Sequence, residues 1–335
     1  MNRKSLCGLT PDEIVHFSGT DVSHAIAIAN CLYKKKITGI DQIGNLSKQL
    51  KQHLNKVFFP GIFEPVTFKK SSDGTVKYLF RNGNGLVYET VFLTDGKRVT
   101  VCVSTQSGCR MKCPFCVTGK YGFHGNLSVQ DIINQVISLP ESGKVTHVVF
   151  MGMGEPMDNL ENVIKACHIF TAEWGLALSR RHITVSTVGI TPGIEKFLEH
   201  SECNLTFSLH SPFADERKMV IPAEKKFPAN EIISIMKGFP IKKKRRLSVA
   251  YVMIREVNDT GKHLEGLKAL LQESKIRINL LKYHPSSGDK NSSSSPERML
   301  YFKHELVTSG ISASIRKSRG EDISAACGLL AAGLK

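Results

Sequence analysis

The spacing of apolar positions changes twice along the chain and divides it into three stretches. Residues 1–62 carry apolar side chains at helical intervals. Thr10-Pro11-Asp12-Glu13 reads as a helix start, with Thr as N-cap, Pro in the first turn and acids behind it. Val22 to Tyr33 is a second helix ending in lysines, and Leu46 to Val57 is a third. Residues 63–97 alternate as strands do. Val76 to Arg81 and Leu86 to Leu93 pair as a hairpin across Asn82-Gly-Asn-Gly85, after an earlier tight turn at Ser71-Ser-Asp-Gly74.

From Arg98 onward, short β-branched runs alternate with amphipathic ones. Strands are expected at 98–104, 146–151, 182–187, 204–209, 247–254, 276–281 and 311–316. Helices are expected at 128–139, 159–170, up to about 199, 229–237, 261–272 and 297–308, the first opened by a Ser128/Asp131 capping box. Residues 286–296 form a polar, Ser-rich loop. Six strand–helix units of this kind predict an α/β fold with a parallel sheet and helices outside. Six fit a partial (β/α)6 barrel better than a closed eightfold one. The expected organisation is a helical accessory domain (1–62), a β-hairpin extension (63–97) and a barrel with a C-terminal cysteine segment (98–335).

Charge adds a partner to this picture. The formal net charge is +15, and a polyphosphate backbone is the commonest partner for such a surplus. Basic clusters stand at 34–36, 180–181, 242–246 and 316–319. No run of about eighteen apolar residues could span a membrane, and the first residues lack the apolar core of a signal peptide. A cytoplasmic protein without a membrane partner is expected. Nine cysteines without a secretory signal then suggest metal or redox chemistry more than a disulfide framework.

Three of those cysteines fall in Cys109-Arg-Met-Lys-Cys113-Pro-Phe-Cys116, directly after the first barrel strand. Three thiolates from one short loop can converge on one inorganic centre. A cubane iron–sulfur cluster held by three cysteines keeps one iron open for a small molecule. The same residues could instead hold zinc with a fourth ligand elsewhere, or be ordinary core cysteines. In barrels of this type, functional residues lie at the C-terminal strand ends. There the chain places Gly152-Met-Gly-Glu155-Pro156, Ser186-Thr187, Ser208-Leu209-His210 and Tyr283-His284-Pro285. Their recurrence at the same end of successive strands reads as a substrate pocket.

The Cys-x3-Cys-x2-Cys loop resembles the signature of radical S-adenosylmethionine (SAM) enzymes. With Cys102-Val-Ser-Thr-Gln-Ser-Gly-Cys109, Met151-Gly-Met-Gly-Glu-Pro156 and Ala325-Ala-Cys327-Gly328, it resembles the RNA adenine methyltransferases of the RlmN/Cfr type over nearly the whole chain. The resemblance implies a 4Fe-4S cluster on Cys109, Cys113 and Cys116, with SAM on its open iron. It implies that Gly154 and Glu155 bind the amino group and backbone of SAM, and that Ser186 and Ser208, Leu209 and His210 line its methionine and ribose. His284 stands where the family usually has Asn. It is either a SAM contact or a satisfied loop histidine.

The resemblance also implies the mechanism. An adenine ring carbon is not a nucleophile and cannot attack the methyl of SAM. One SAM methylates Cys327, and a second is cleaved to a radical that takes a hydrogen from that methyl. The carbon radical then adds to the ring, Glu89 removes the ring proton, and Cys102 frees the product by forming a disulfide with Cys327. Two SAM are used per turnover. From the residues alone, Glu89 is a strand-surface carboxylate. Cys327 is either a buried structural thiol or a thiolate favoured by Arg316, Lys317 and Arg319.

The function expected is methylation of an adenosine ring carbon, carbon 2 before carbon 8, in 23S rRNA, tRNA or both. Tyr121-Gly-Phe123 and Arg316-Lys-Ser-Arg-Gly-Glu-Asp look like the carbon-2 branch. Leu205-Thr-Phe-Ser-Leu-His-Ser211 and Val249-Ala-Tyr-Val-Met253 look closer to the carbon-8 branch. The expected partners are RNA and an electron donor such as flavodoxin, and the expected state is a monomer. A radical SAM enzyme acting on a non-RNA substrate and a zinc-bearing RNA-binding protein are the alternatives.

Overall fold

Local sequence decides the first helix. In the computed structural model, the Thr10 N–H donates to Glu13 Oε2 (2.8 Å) and the Glu13 N–H to Thr10 Oγ1 (3.3 Å). This reciprocal cap opens Pro11–Ser18, and Gly19 ends it with φ +67°. Val22–Lys35 and Lys48–Val57 follow. The structure describes residues 3–241, 245–286 and 288–331. Lys242 to Lys244 of one basic cluster and Ser287 of the Ser-rich loop lie outside the described residues.

The two ends of the helical stretch meet, because Lys4–Ser5 pairs in parallel with Phe58–Phe59. It then docks on the helix Val129–Ile137. Asn134 bonds both backbone groups of Phe63 (3.1 and 2.5 Å), and Gln130 donates to Gly61 O (2.7 Å).

Among the described residues, ten strands form one sheet. Arg98–Cys102, His147–Phe150, Ile183–Thr187, Asn204–Ser208, Leu247–Met253, Arg277–Lys282 and Ala313–Ile315 run parallel, each beside the next. The α/β barrel expected from the alternation is therefore present, with helices such as Leu160–Thr171 and Gly261–Leu271 between strands. Thr67–Lys70, Val76–Arg81 and Val87–Asp95 continue the same sheet antiparallel, with Val91 opposite Cys102. An open barrel leaves its first strand with unpaired backbone groups, and the hairpin pairs them. Too short or too polar to show a period, the strands Gln106–Gly108 and Phe123–Asn126 and the helix Ala214–Val220 appear only in the structure.

The outer faces of the strands build the core, through residues such as Val148, Val185, Leu205, Val249 and Ile278. The inner faces differ. Thr184, Ser186, Thr206, Ser208, Ser248 and Asn279 line a cavity of about 650 Å³. A barrel of this family of shapes usually fills its interior with branched apolar side chains. A lumen of hydroxyls and amides instead leaves room for a polar ligand. Among the described residues, no helix is long and apolar enough to cross a membrane.

Candidate active site

The cysteine loop closes on itself through one glycine. Gly108 has φ +78°, and a Cβ there would stand 1.6 Å from Gly122 O. The Cys109 N–H donates to that same oxygen (2.8 Å). Lys112 takes a left-handed φ of +52°, and the Cys116 N–H donates to Cys113 O (3.0 Å). These turns bring Cys109, Cys113 and Cys116 to the wall of the cavity. The thiols crowd one another: burial first, then Cys116 and Cys109, pushes the Cys113 thiol up. Burial likewise pushes Cys109 up to about 12.

Opposite the loop lie the ends of the next strands. Gly154 (φ +98°) packs so closely on Gln106 that a Cβ would stand 2.6 Å from its side chain. Glu155 is buried. Its Oε1 accepts the Met157 N–H (3.0 Å) and its Oε2 the Val188 N–H (2.9 Å). Burial nevertheless raises its carboxyl to about 7. Ser186, Ser208 and His210 also line the cavity. His210 Nδ1 accepts the Val252 N–H (3.0 Å), and its ring meets Phe115 edge-on at 5.4 Å. Burial, then Arg217, lowers the imidazole to about 3, so it is neutral. The Leu209 side chain points the other way, into the core.

The C-terminal segment completes the site. After Ala313–Ile315 it crosses the open side of the barrel as a strap. Arg319 pairs with Asp95 (2.8 Å), the Gly320 N–H donates to Asp73 (2.9 Å), and Asp322 accepts from Ser71 (2.6 Å). The hairpin turn at Ser71–Gly74 is thus the strap's far anchor. The strap then meets the cysteine loop: the Val117 N–H donates to Gly328 O (2.8 Å), and Thr118 Oγ1 to Leu330 O (3.0 Å). Cys327 is exposed to the cavity, and Cys102 lies buried beside it at the end of the first strand. Cys327 opens only onto the lumen, whose walls desolvate it; this and then Cys116 raise its thiol, while burial and then Cys327 raise Cys102. The sequence had suggested a thiol lowered by Arg316, Lys317 and Arg319. Instead Arg319 is spent on Asp95 and Arg316 on Asn279 (3.1 Å).

Comparison with known proteins matches this arrangement. Residues 103–265 match the Radical SAM superfamily. The chain is 36% identical over 341 residues to the "Dual-specificity RNA methyltransferase RlmN" of Desulfotalea psychrophila, covering 97% of this chain and 94% of that one. It is 42% identical over 333 residues to a Parabacteroides distasonis protein given the same name with "Probable" before it, covering 98% and 97%. The chain belongs to the RlmN family of radical SAM RNA methyltransferases. A crystal structure of a radical SAM methyltransferase from Sphaerobacter thermophilus has the same fold, with TM-score 0.89, 34% identity and coverage of 98% and 99%.

Membership in the RlmN family implies SAM and a 4Fe-4S cluster, and the donor set fits. Among the described residues, no three His, Cys, Asp or Glu stand close enough to share one ion. Cys109, Cys113 and Cys116 would hold a cluster of several irons, which does not require their thiolates to converge on one ion.

Two of the candidate residues turn out to hold the strap. His284 Nε2 bonds Ser318 Oγ (2.5 Å) and lines the cavity. Glu89 is buried, contrary to the strand-surface reading. Its Oε1 pairs with Lys77 (3.0 Å) and its Oε2 accepts the Ala331 N–H (2.7 Å). Lys77 also donates to Ser324 O (3.3 Å). This buried pair therefore grips the strap on both sides of Cys327.

Lys77 and Arg217 escaped the sequence reading. Arg217 is fully buried. It donates to Val188 O (2.7 Å), Ser208 O (2.9 Å) and Leu209 O (3.0 Å), and it pairs with Glu224. It ties two strand ends that line the site. In Ala-Asp-Glu-Arg-Lys it looks like one more charge on a solvent-facing helix, and no local signal marks it as buried.

Proposed function

We propose that this enzyme methylates a ring carbon of adenosine, carbon 2 before carbon 8, in 23S rRNA, tRNA or both. Cys327 is the methyl carrier and Cys102 its resolving thiol. The observation that carries this reading is the meeting of Cys102 and Cys327 on one cavity wall with the three-cysteine loop. A radical enzyme without a covalent carrier has no use for that second pair. The name "dual-specificity" on the relatives supports action on more than one RNA.

When bound, the cluster and SAM supply a carbon-centred radical. The chain's residues do the rest. Cys109, Cys113 and Cys116 hold the cluster; Gly154, Glu155, Ser186, Ser208 and His210 bind SAM, two molecules per turnover. The backbone beside Cys327 is tied to Val117, which holds the thiol at the cavity. Cys102, shielded from bulk water, forms the disulfide that releases the product. Glu89 accepts the ring proton. Its carboxylate is now held by Lys77 and the Ala331 N–H, so this role requires the strap to shift and free Oε2. The reading also includes a flavodoxin-like electron donor, a monomeric state and a cytoplasmic location.

The test is anaerobic reconstitution with SAM, reductant and separate rRNA and tRNA pools, followed by mass spectrometry of the nucleosides. 2-Methyladenosine is expected. Its absence alongside 8-methyladenosine reverses the carbon assignment. No methyladenosine from an enzyme with an intact cluster sinks the reading.

A further inference from the structure

The cavity extends to the N-terminal ends of the parallel strands. Arg98 and Arg277 open their strands, Arg246 directly precedes Leu247, and Arg181 stands just before Ile183. All four line the cavity at the N-terminal strand ends, the end opposite the cysteine loop. Arg316 follows the C-terminal end of Ala313–Ile315 and reaches back into the same lumen, where its Nε donates to Asn279 Oδ1 (3.1 Å); burial, then Arg98 and Arg246, disfavours its charge. His147, also on the wall, is held neutral by burial and then by Arg98.

Like charges so placed repel. A protein usually neutralises them, and this one does so elsewhere: Arg110, Arg180 and Arg319 each have a carboxylate partner. Among the described residues, none of these five does. All five are exposed. An uncompensated ring of guanidinium groups is a site for an anion with several phosphate oxygens, because each planar fork can take two of them. Above the ring, the wall turns to hydroxyls and amides from Thr184, Thr206, Ser248 and Asn279, and beyond these lies Cys327. Charge outside, hydrogen-bonding groups within and the thiol at the far end is the order phosphate, nucleoside, reacting carbon.

We propose that the RNA approaches from the N-terminal face of the barrel, with its backbone phosphates on Arg98, Arg181, Arg246, Arg277 and Arg316 and the target nucleoside inserted into the lumen. This rests on the reading of the substrate as RNA. It adds the face by which RNA arrives and the residues that hold it.

Phosphate contacts leave a salt signature. Each one lost lowers the slope of log affinity against log salt by about 0.7 for a single strand. The experiment measures binding of a fluorescein-labelled single-stranded RNA to the full, cluster-loaded chain by anisotropy across a potassium chloride series. Arg98→Gln, Arg246→Gln and Arg277→Gln are each expected to reduce the slope by about 0.7 and to weaken binding equally for RNAs of different sequence. The exposed Lys303→Gln, on the outer helix Pro296–Thr308, is expected to keep the parental slope. Each variant's cluster absorbance and RNA-independent cleavage of SAM report that it is folded. Parental slopes in all three arginine variants overturn the proposal while leaving the RNA reading intact. If the unaltered chain does not bind the labelled RNA at any salt concentration, the RNA reading falls and this proposal falls with it.

Discussion

The cysteine loop and the Cys327 strap meet in one cavity but are held by opposite means. The loop is local. Its three thiols lie within eight consecutive residues, and its closing hydrogen bond joins the Cys109 N–H to Gly122 O beside one short strand pair. The strap is held from far away in the chain: by Ser71 and Asp73 in the hairpin turn, Lys77 and Glu89 in two strands, Val117 and Thr118 beside the loop, and His284 after the sixth parallel strand. A local loop can keep its shape when its surroundings change. A strap with remote anchors depends on the packing of several elements at once, and part of it must move if Glu89 is to act as a base.

Removing one cysteine from each region separates loop and strap most completely. Cys109→Ala is expected to lose the brown visible absorbance together with all cleavage of SAM. Cys327→Ala is expected to keep both and lose all RNA methylation. Normal methylation by Cys327→Ala would sink the covalent-carrier mechanism.

Next in size is Lys77→Met. It leaves Glu89 buried without its cation, a loss worth about 3 kcal/mol where the pair is buried on both sides. The expected outcome is a lower melting temperature, protease cleavage within 316–331 and slow methylation, with SAM binding retained. A fall in SAM binding equal to the fall in methylation would mean that the strap and the SAM site are not separate units.

A pH effect belongs to the barrel side. Burial, then Arg217, depresses His210 from 6.5 to about 3. The unfolded chain takes up the proton first. The stability that the neutral ring contributes is therefore complete above pH 6.5 and is lost as pH falls from there toward about 3. Thermal melting across that window is expected to show a slope that flattens in His210→Gln. An unchanged slope would assign the acid sensitivity to other groups.

The smallest change tests one anchor. Thr118→Val removes the bond to Leu330 O and costs about 1 kcal/mol. Methylation should fall slightly, with the cluster untouched.

Much of the barrel was legible because its signals are periodic. Strand runs such as 204–209 and 247–254 alternate with helical ones, and the observed Asn204–Ser208 and Leu247–Met253 differ from them only at the ends. Gly154, Glu155, Ser208 and His210 could be grouped because parallel strands bring equivalent ends together. Lys77 and Arg217 were not legible. A buried ion in the sequence has the same letter as an exposed one, and its partner is chosen by packing. The burial of Glu89 escaped notice for the same reason.

Residue order alone already carries the alternation that makes a partial barrel, the loop of three thiols and the two further cysteines to which the proposed mechanism gives roles. These are properties of neighbours in the chain, fixed by backbone period and side-chain type. Packing alone brings the hairpin to complete the sheet and anchor the strap, sets Lys77 and Glu89 around the segment of Cys327, and gathers on one cavity five arginines that, among the described residues, have no carboxylate partner. Each of these depends on residues hundreds of positions apart, or on different strands. Which of them meet follows from how the sheet curls and what it leaves open.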